Sequence, residues 1–336
     1  MDAIKEKLPA PGLSEALESK ELEWARVTVL KLINTVGRII KGKNEPIKMM
    51  LIGLMCRGHV LIEDIPGVGK TTLAKALARA VGGSFRRIQF TSDLMPSDII
   101  GISVYRQNDG EFLFKPGPIF ASIVLADEIN RTNPRTQSAL LEAMNERQVT
   151  VDGATHALAE PFIVIATQNP HDFYGTYPLP ESQLDRFLIR IQLGYPDLDT
   201  EKQVVCSGGT DELLEDITPV IELEDVIRLS GMVEQVKFDA ILLDYLMEIV
   251  SESRKERTLS LGISPRGAIH LFRAAQAAAL IEGRGYAIPD DLQSVMVPVL
   301  SHRLIPSGAH TSAPAERRKM AEQVIKEILD KIPVPV

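Results

Sequence analysis

Apolar residues recur at Trp24, Val27, Leu30, Ile33 and Val36, the spacing of one helical face, and predict a helix over residues 22–40. A second helix is expected over 45–56. From there the period changes. His59-Val60-Leu61-Ile62 is a short aliphatic run with the length and composition of a buried strand. Similar runs follow at 85–90, 122–126, 162–167 and 187–193. Between them, helices are expected at 73–81, 134–146 and 181–186. Two stretches depart from this alternation. Val104-Tyr105-Arg106 and Phe112-Leu113-Phe114 flank Asn108-Asp109-Gly110, an Asp-Gly hairpin signal, and a second hairpin is expected around 149–153.

After Gly194-Tyr195-Pro196 everything reads helical, over 223–236, 238–253, 265–282, 289–300 and 315–332. The pattern is therefore an α/β unit followed by a smaller helical one. The expected organisation is a loose N-terminal segment at 1–21, broken by Pro9, Pro11 and Gly12, then an α/β core at 22–195 with a hairpin insert near 102–115. A helical domain with a C-terminal helix completes it at 196–336. There are no internal repeats, and 307–314 reads as a short linker-like loop.

Composition narrows the picture only slightly. The 336 residues carry a formal net charge of −8, which argues against a nucleic-acid protein, because phosphate backbones call for a basic surface. Cys56 and Cys206 have no metal-ligand spacing and suit a reducing compartment. No apolar run reaches the roughly 18–20 residues of a membrane span, and the start of the chain lacks the apolar core of a signal peptide. The expected location is the cytoplasm.

The chemistry concentrates between the first strand and the helix after it, in Glu63-Asp64-Ile65-Pro66-Gly67-Val68-Gly69-Lys70-Thr71-Thr72. Strand, glycine loop, helix is the setting of a phosphate-binding loop. Gly67 and Gly69 let backbone N–H groups curl around an anion, and the helix N-terminus adds partial positive charge. Lys70 would reach the β- and γ-phosphates, and the Thr71 hydroxyl would sit on Mg²⁺. The nominal first glycine of G-x-x-x-x-G-K-[ST] is Asp64 here, a residue that tolerates unusual backbone angles. Asp127-Glu128 closes the 122–126 strand and supplies a metal-holding carboxylate and a group to polarise water. Asn169 follows another buried strand, and ligand-binding residues of an open parallel sheet lie at strand carboxyl ends. Arg266 follows a Ser264 N-cap and Pro265; a cation there is unfavourable unless an anion compensates it, which a bound phosphate would do. Arg186 sits between helix and strand, where it could project towards another subunit.

Taken in order, Glu-Asp-Ile-Pro-Gly-Val-Gly-Lys-Thr, Leu-Ala-Asp-Glu-Ile-Asn-Arg, Ala-Thr-Gln-Asn-Pro, Leu-Asp-Arg-Phe and Ser-Pro-Arg resemble the MoxR family of AAA+ ATPases over residues 25–305. The stretches 136–144 and 177–184 resemble it too. The resemblance implies an αβα P-loop nucleotide domain, a helical lid and a ring, commonly of six subunits. It implies Walker A roles for Lys70 and Thr71, Walker B roles for Asp127 and Glu128, and sensor 1 for Asn169. Arg186 becomes a trans-acting arginine finger and Arg266 sensor 2. Gly267 stands where the family often has alanine. ATP and Mg²⁺ are the implied cofactors. The implied partners are a separate protein with a von Willebrand factor A domain and a client, free or membrane-associated.

The resulting expectation is an Mg²⁺-dependent ATPase that remodels a client or matures its metal cofactor. The 104–114 hairpin is the expected client or partner contact, with Phe112 and Phe114 themselves packing beneath it. The alternatives from other classes are a nucleic-acid motor, a nucleotide-gated scaffold that hydrolyses little, and a small-molecule kinase. Net charge disfavours the first, Glu128 and Asn169 disfavour the second, and the water-activating Asp-Glu pair disfavours the third.

Overall fold

The computed structural model describes residues 17–108, 110–170, 175–206, 211–308 and 314–335. Most of the expected N-terminal segment (1–16), Asp109 of the hairpin turn and 309–313 of the linker-like loop lie outside the described residues.

Helices α1 (Ser19–Ile39) and α2 (Asn44–Met55) lead into strand β1 (Val60–Glu63), followed by α3 (Lys70–Ala80) and β2 (Phe85–Gln89). A short helix α4 (Pro96–Ile100) opens the insert, whose strands β3 (Gly101–Arg106) and β4 (Glu111–Pro116) pair antiparallel. Then come β5 (Ile123–Asp127), α5 (Pro134–Glu146), a second hairpin of β6 (Gln148–Val151) and β7 (Ala154–Ala157), and β8 (Ile163–Gln168). The α/β part closes with α6 (Glu181–Leu184) and β9 (Ile189–Ile191). Five strands form one sheet in the order β2-β5-β8-β1-β9, with every neighbouring pair parallel.

The sheet is covered on both faces, and strand periodicity sorts its residues between two cores. Val60 and Ile62, Ile123 and Leu125, and Ile163 and Ile165 enter the core shared with α1, α2 and α3. Leu61, Val124 and Ala126, and Val164 and Ala166 enter the other, against α4 and α5. Fully burying an aliphatic side chain such as Ile62 or Leu73 contributes about 1.5–3 kcal/mol, so a one-residue register slip, exchanging the two sets, is heavily disfavoured.

The C-terminal part holds α7 (Leu198–Cys206), α8 (Asp211–Glu215), α9 (Leu223–Gln235), α10 (Ala240–Lys255), α11 (Pro265–Ile281), α12 (Pro289–Leu300) and α13 (Pro314–Lys331). It is helical as expected, with one small addition. β10 (Leu259–Leu261) and β11 (Ile305–Pro306) form a small antiparallel pair, too short to leave a periodic signal. One continuous core joins this part to the sheet: Ala25, Val29, Leu54 and Val60 share it with Val233, Leu271, Ala275 and Val299.

The insert corrects one expectation. Phe114 does pack, stacked on His156 of the second hairpin at 3.9 Å between ring centroids. Phe112 does not: it is 73 % exposed near the tip, 5.3 Å from Tyr105 between ring centroids. The hairpin's root is pinned by backbone contact. A Cβ on Gly117 would lie 2.2 Å from the carbonyl oxygen of Ile99, and Gly101 has a φ of 101°.

His59, at the entrance of β1, is enclosed and neutral. The Val164 N–H donates to its Nδ1 at 2.9 Å, and its Nε2 donates to the Met144 carbonyl at 3.0 Å. Burial lowers its pKa from 6.5 to about 4. Between those two values the unfolded chain binds a proton and the native state does not, so stability falls as pH drops through that window. At pH 5 the loss from this residue is about 2 kcal/mol. Urea unfolding at about pH 7.5 and pH 5 should show that decline. His59→Gln should be less stable at both values but flatter between them by about the same amount.

Candidate functional site

The loop between β1 and α3 wraps the start of the helix. Gly67 and Gly69 take φ values of 83° and 92°, the left-handed region that a residue with a Cβ resists. Open space lies where a Cβ on Gly67 would be, as an approaching anion requires. The Lys70 ammonium folds back over the loop and donates to the carbonyl oxygens of Asp64 (2.7 Å) and Ile65 (2.9 Å).

Beside this loop lies a cavity of about 340 Å³. The phosphate-loop side contributes Pro66, Gly67, Gly69, Lys70, Thr71 and Thr72. The strand ends contribute Asp127 of β5 with Glu128 just after it, and Thr167 of β8 with Asn169 just after it. Parallel pairing of β1, β5 and β8 is what brings residues so distant in sequence to one rim.

Asp127 is buried, and its two carboxylate oxygens are separately engaged. Thr167 Oγ1 donates to Oδ1 at 2.6 Å, while Arg87 donates to Oδ2 from Nε at 3.0 Å and from its terminal nitrogen at 2.5 Å. Glu128 lies in the left-handed region (φ 59°, ψ 49°), a conformation that costs a non-glycine residue about 1 kcal/mol or more. Its backbone N–H is held by Thr167 Oγ1 at 2.8 Å, and its Oε2 accepts from Gln89 Nε2 at 2.8 Å and lies 3.3 Å from Arg131 Nε. The sharp turn after β5 thus aims Glu128 at the cavity rather than along the strand.

Three of these residues escaped the sequence reading. Arg87 and Gln89 lie on β2, and only the register that sets Gln89 opposite Asp127 places them here. Thr167 is a buried strand residue whose hydroxyl orders both acids. The Thr-Gln-Asn-Pro order is the one signal that could have drawn attention to it.

Five expected site residues do not line the cavity. Glu63 points away, towards the far edge of the sheet, and is corrected: its Oε2 lies 2.9 Å from Arg190 Nε and 3.3 Å from Arg318 of α13. The buried Arg190 needs a counter-ion, and Glu63 provides it. Val68 is turned inward and packs on the main core. Asp64 is buried, its carboxylate bonded to backbone rather than facing the cavity. Arg186 borders a separate cavity of about 290 Å³ with Ser138, Glu142, Asn145, Glu146 and Gln183, and it makes no ion pair among the described residues. Arg266 lies exposed on the first turn of α11. That turn is built as the sequence predicts: Ser264 Oγ accepts from the Gly267 N–H at 3.0 Å, with Pro265 at the first helical position. Ser264 also donates to Asp185, which pairs with Arg303 at 2.9 Å, tying the segment that bears Arg186 to the start of α11.

Comparison with known proteins agrees with this architecture. Residues 59–189 match the model of the ATPase family associated with various cellular activities (AAA), and 251–328 match the AAA lid domain. The chain is 48 % identical over 306 residues to the uncharacterized protein YeaC of Bacillus subtilis, covering 91 % of this chain and 94 % of that one. It is 42 % identical over 292 residues to Chaperone MoxR1 of Mycobacterium tuberculosis, covering 83 % and 76 %. It is 30 % identical over 323 residues to Protein MoxR of Paracoccus denitrificans, covering 88 % and 93 %. A crystal structure from Cytophaga hutchinsonii, of a protein assigned as an ATPase, superposes with a TM-score of 0.85 at 36 % identity, covering 94 % of this chain and 98 % of that one.

Because Thr167 serves both Asp127 and the strained Glu128, Thr167→Val should leave a buried acceptor and a buried donor unpaired. The expected cost is about 1–3 kcal/mol in urea unfolding, with Thr167→Ser restoring most of it.

Proposed function

The chain belongs to the MoxR family of AAA+ ATPases, and on that premise we propose that it hydrolyses ATP at the cavity beside the phosphate loop and, as a ring, uses the cycle to remodel a client protein or mature its metal cofactor. One observation carries the catalytic part. Lys70 and Thr71, Asp127 and Glu128, and Asn169 reach a single cavity from three separate strand ends.

The donor set fits Mg²⁺. Thr71 and Asp127 offer hard oxygen atoms, and a site with one carboxylate that leaves room for substrate phosphates and water is what this ion uses. When bound, the ion would neutralise charge developing on the phosphates. The chain's own residues do the rest. The loop amides and Lys70 hold the phosphates in the ground state. Glu128 polarises the attacking water, and Asn169 orients it against the γ-phosphate.

Arg186, away from this cavity, acts on a neighbouring subunit's nucleotide, and Arg266 reports on the nucleotide from the C-terminal helices. Head-to-tail contacts of this kind close into rings, and six subunits is our assignment. The insert hairpin contacts the client or a separate von Willebrand factor A protein. Its exposed Val104, Tyr105, Phe112 and Leu113 support that role. Among the described residues no helix is long and apolar enough to cross a membrane. Cys56 and Cys206 are unpaired, and we place the protein in the cytoplasm.

Two experiments test this reading. Lys70→Ala should weaken ATP binding by roughly one to two orders of magnitude, as losing a charge-assisted bond implies. Glu128→Gln should bind normally and lose turnover, since it removes an interaction made with the attacking water. Titration with a fluorescent ATP analogue beside a phosphate-release assay separates them, and equal loss of binding would defeat the division of roles. For the ring, Arg186→Ala and Glu128→Gln should each be nearly inactive, because an arginine finger is worth about 10³-fold or more. Mixed together they should regain activity, as an intact Glu128 receives its neighbour's intact Arg186. No recovery in co-assembled mixtures would assign Arg186 a role within its own subunit.

A further inference from the structure

Asp64 stands where the general phosphate-loop pattern has glycine, yet its backbone is not what the structure exploits. Its side chain is. The residue is only 6 % exposed, and no cation pairs with its carboxylate among the described residues. Three backbone N–H groups converge on it instead: Ile65 donates to Oδ1 at 2.8 Å, and Leu193 and Gly194 each donate to Oδ2 at 2.7 Å. Leu193 and Gly194 are the residues by which the chain leaves β9 for the C-terminal helices, and Gly194 takes a φ of 61° there. The main chain of Asp64 faces the other way. Its carbonyl oxygen accepts from Lys70 Nζ at 2.7 Å, and its N–H donates to Gln168 of β8 at 3.1 Å. One residue thus touches the ammonium that meets phosphate, the strand that Asn169 follows, and the junction between the two parts of the chain.

We propose that Asp64 is a positioning residue that couples the phosphate loop to the orientation of the C-terminal helices, its carboxylate acting as a short link between nucleotide and junction. This rests on the phosphate-loop reading above. The physical case is stiffness. A buried carboxylate with three short backbone bonds has no water to fall back on, and charge-assisted bonds of this kind are about twice as strong as neutral ones. When Lys70 leaves the Asp64 and Ile65 carbonyls for a phosphate, the backbone of Asp64 is freed to shift. Its side chain remains fastened to Leu193 and Gly194, so the shift is passed to the junction. A glycine at this position would form the loop without the link.

The test uses the full chain and a non-hydrolysable fluorescent ATP analogue. It compares wild type with Asp64→Gly and with the nearly isosteric Asp64→Asn, which keeps an acceptor for Ile65 if the glycine variant fails to fold. Three quantities are read: analogue affinity, amide exchange at Leu193 and Gly194, and the distance between spin labels on α5 and α10. In wild type the analogue should change both exchange and distance. The variants should bind within about tenfold of wild type, while Leu193 and Gly194 exchange at least tenfold faster without nucleotide. Their label distance should no longer respond to the analogue. Variants that bind and respond as wild type does would overturn the coupling. So would a wild type that binds with no change at the junction, or variants that lose binding altogether, which would make Asp64 a loop-forming residue only. A wild type that fails to bind the analogue would overturn the nucleotide reading itself, a result distinct from the others.

Discussion

The site depends on one constraint: β1, β5 and β8 are parallel neighbours buried on both faces, so their register has essentially no freedom to slip. Pairing sets Leu61 beside Ala166 and Ala126 beside Ala166, and all three strands therefore leave the sheet at the same level. Whatever follows the last buried residue of each strand must meet at that edge. The phosphate loop follows β1, Glu128 follows β5, and Asn169 follows β8. The chemistry is assembled by hydrophobic packing that contains none of it.

Within that frame the local chain gives up comfort for direction. Glu128 adopts the left-handed conformation, and a buried threonine hydroxyl holds both its amide and the Asp127 carboxylate. Strain of this sort persists only where surrounding contacts over-determine it. Here the contacts come from three strands at once: Arg87 and Gln89 on β2, Asp127 at the end of β5, and Thr167 on β8. Without a neighbouring strand on each side of β5, neither acid would have a fixed direction.

The same edge of the sheet fastens the C-terminal helices. Glu63 pairs with Arg190 and Arg318 just before the phosphate loop begins, which docks α13 beside it. Arg303 is almost fully enclosed, bonded to Asp185 and to the carbonyls of Phe187, Leu188 and Val299. Burial lowers its pKa to about 10, and burial and Arg303 together lower those of His270 and His302, so these histidines are neutral neighbours of a charged guanidinium. Such a pair is worth little as net stability, because desolvation offsets the attraction, but it admits few geometries. The segment carrying Arg186 and the helix carrying Arg266 are thereby joined through Asp185.

The sequence by itself determined the alternation of strands and helices, the phosphate loop, the acids at the end of β5 and the asparagine after β8. These are signals of local spacing, and burial on both faces writes them as short aliphatic runs ending in polar residues. It also determined the capped start of α11, because a Ser-Pro pair acts within one turn. Side-chain direction and cross-strand partnership were beyond it. Glu63 and Asp64 are adjacent and look alike as acids beside a phosphate loop, yet one faces Arg190 and the other the amides of Leu193 and Gly194. Arg87, Gln89 and Thr167 join the site only through strand register, and Phe112 is exposed where Phe114 is covered because His156 lies under one of them. Each of these turns on a partner far away in the chain, and only the folded structure decides which partner arrives.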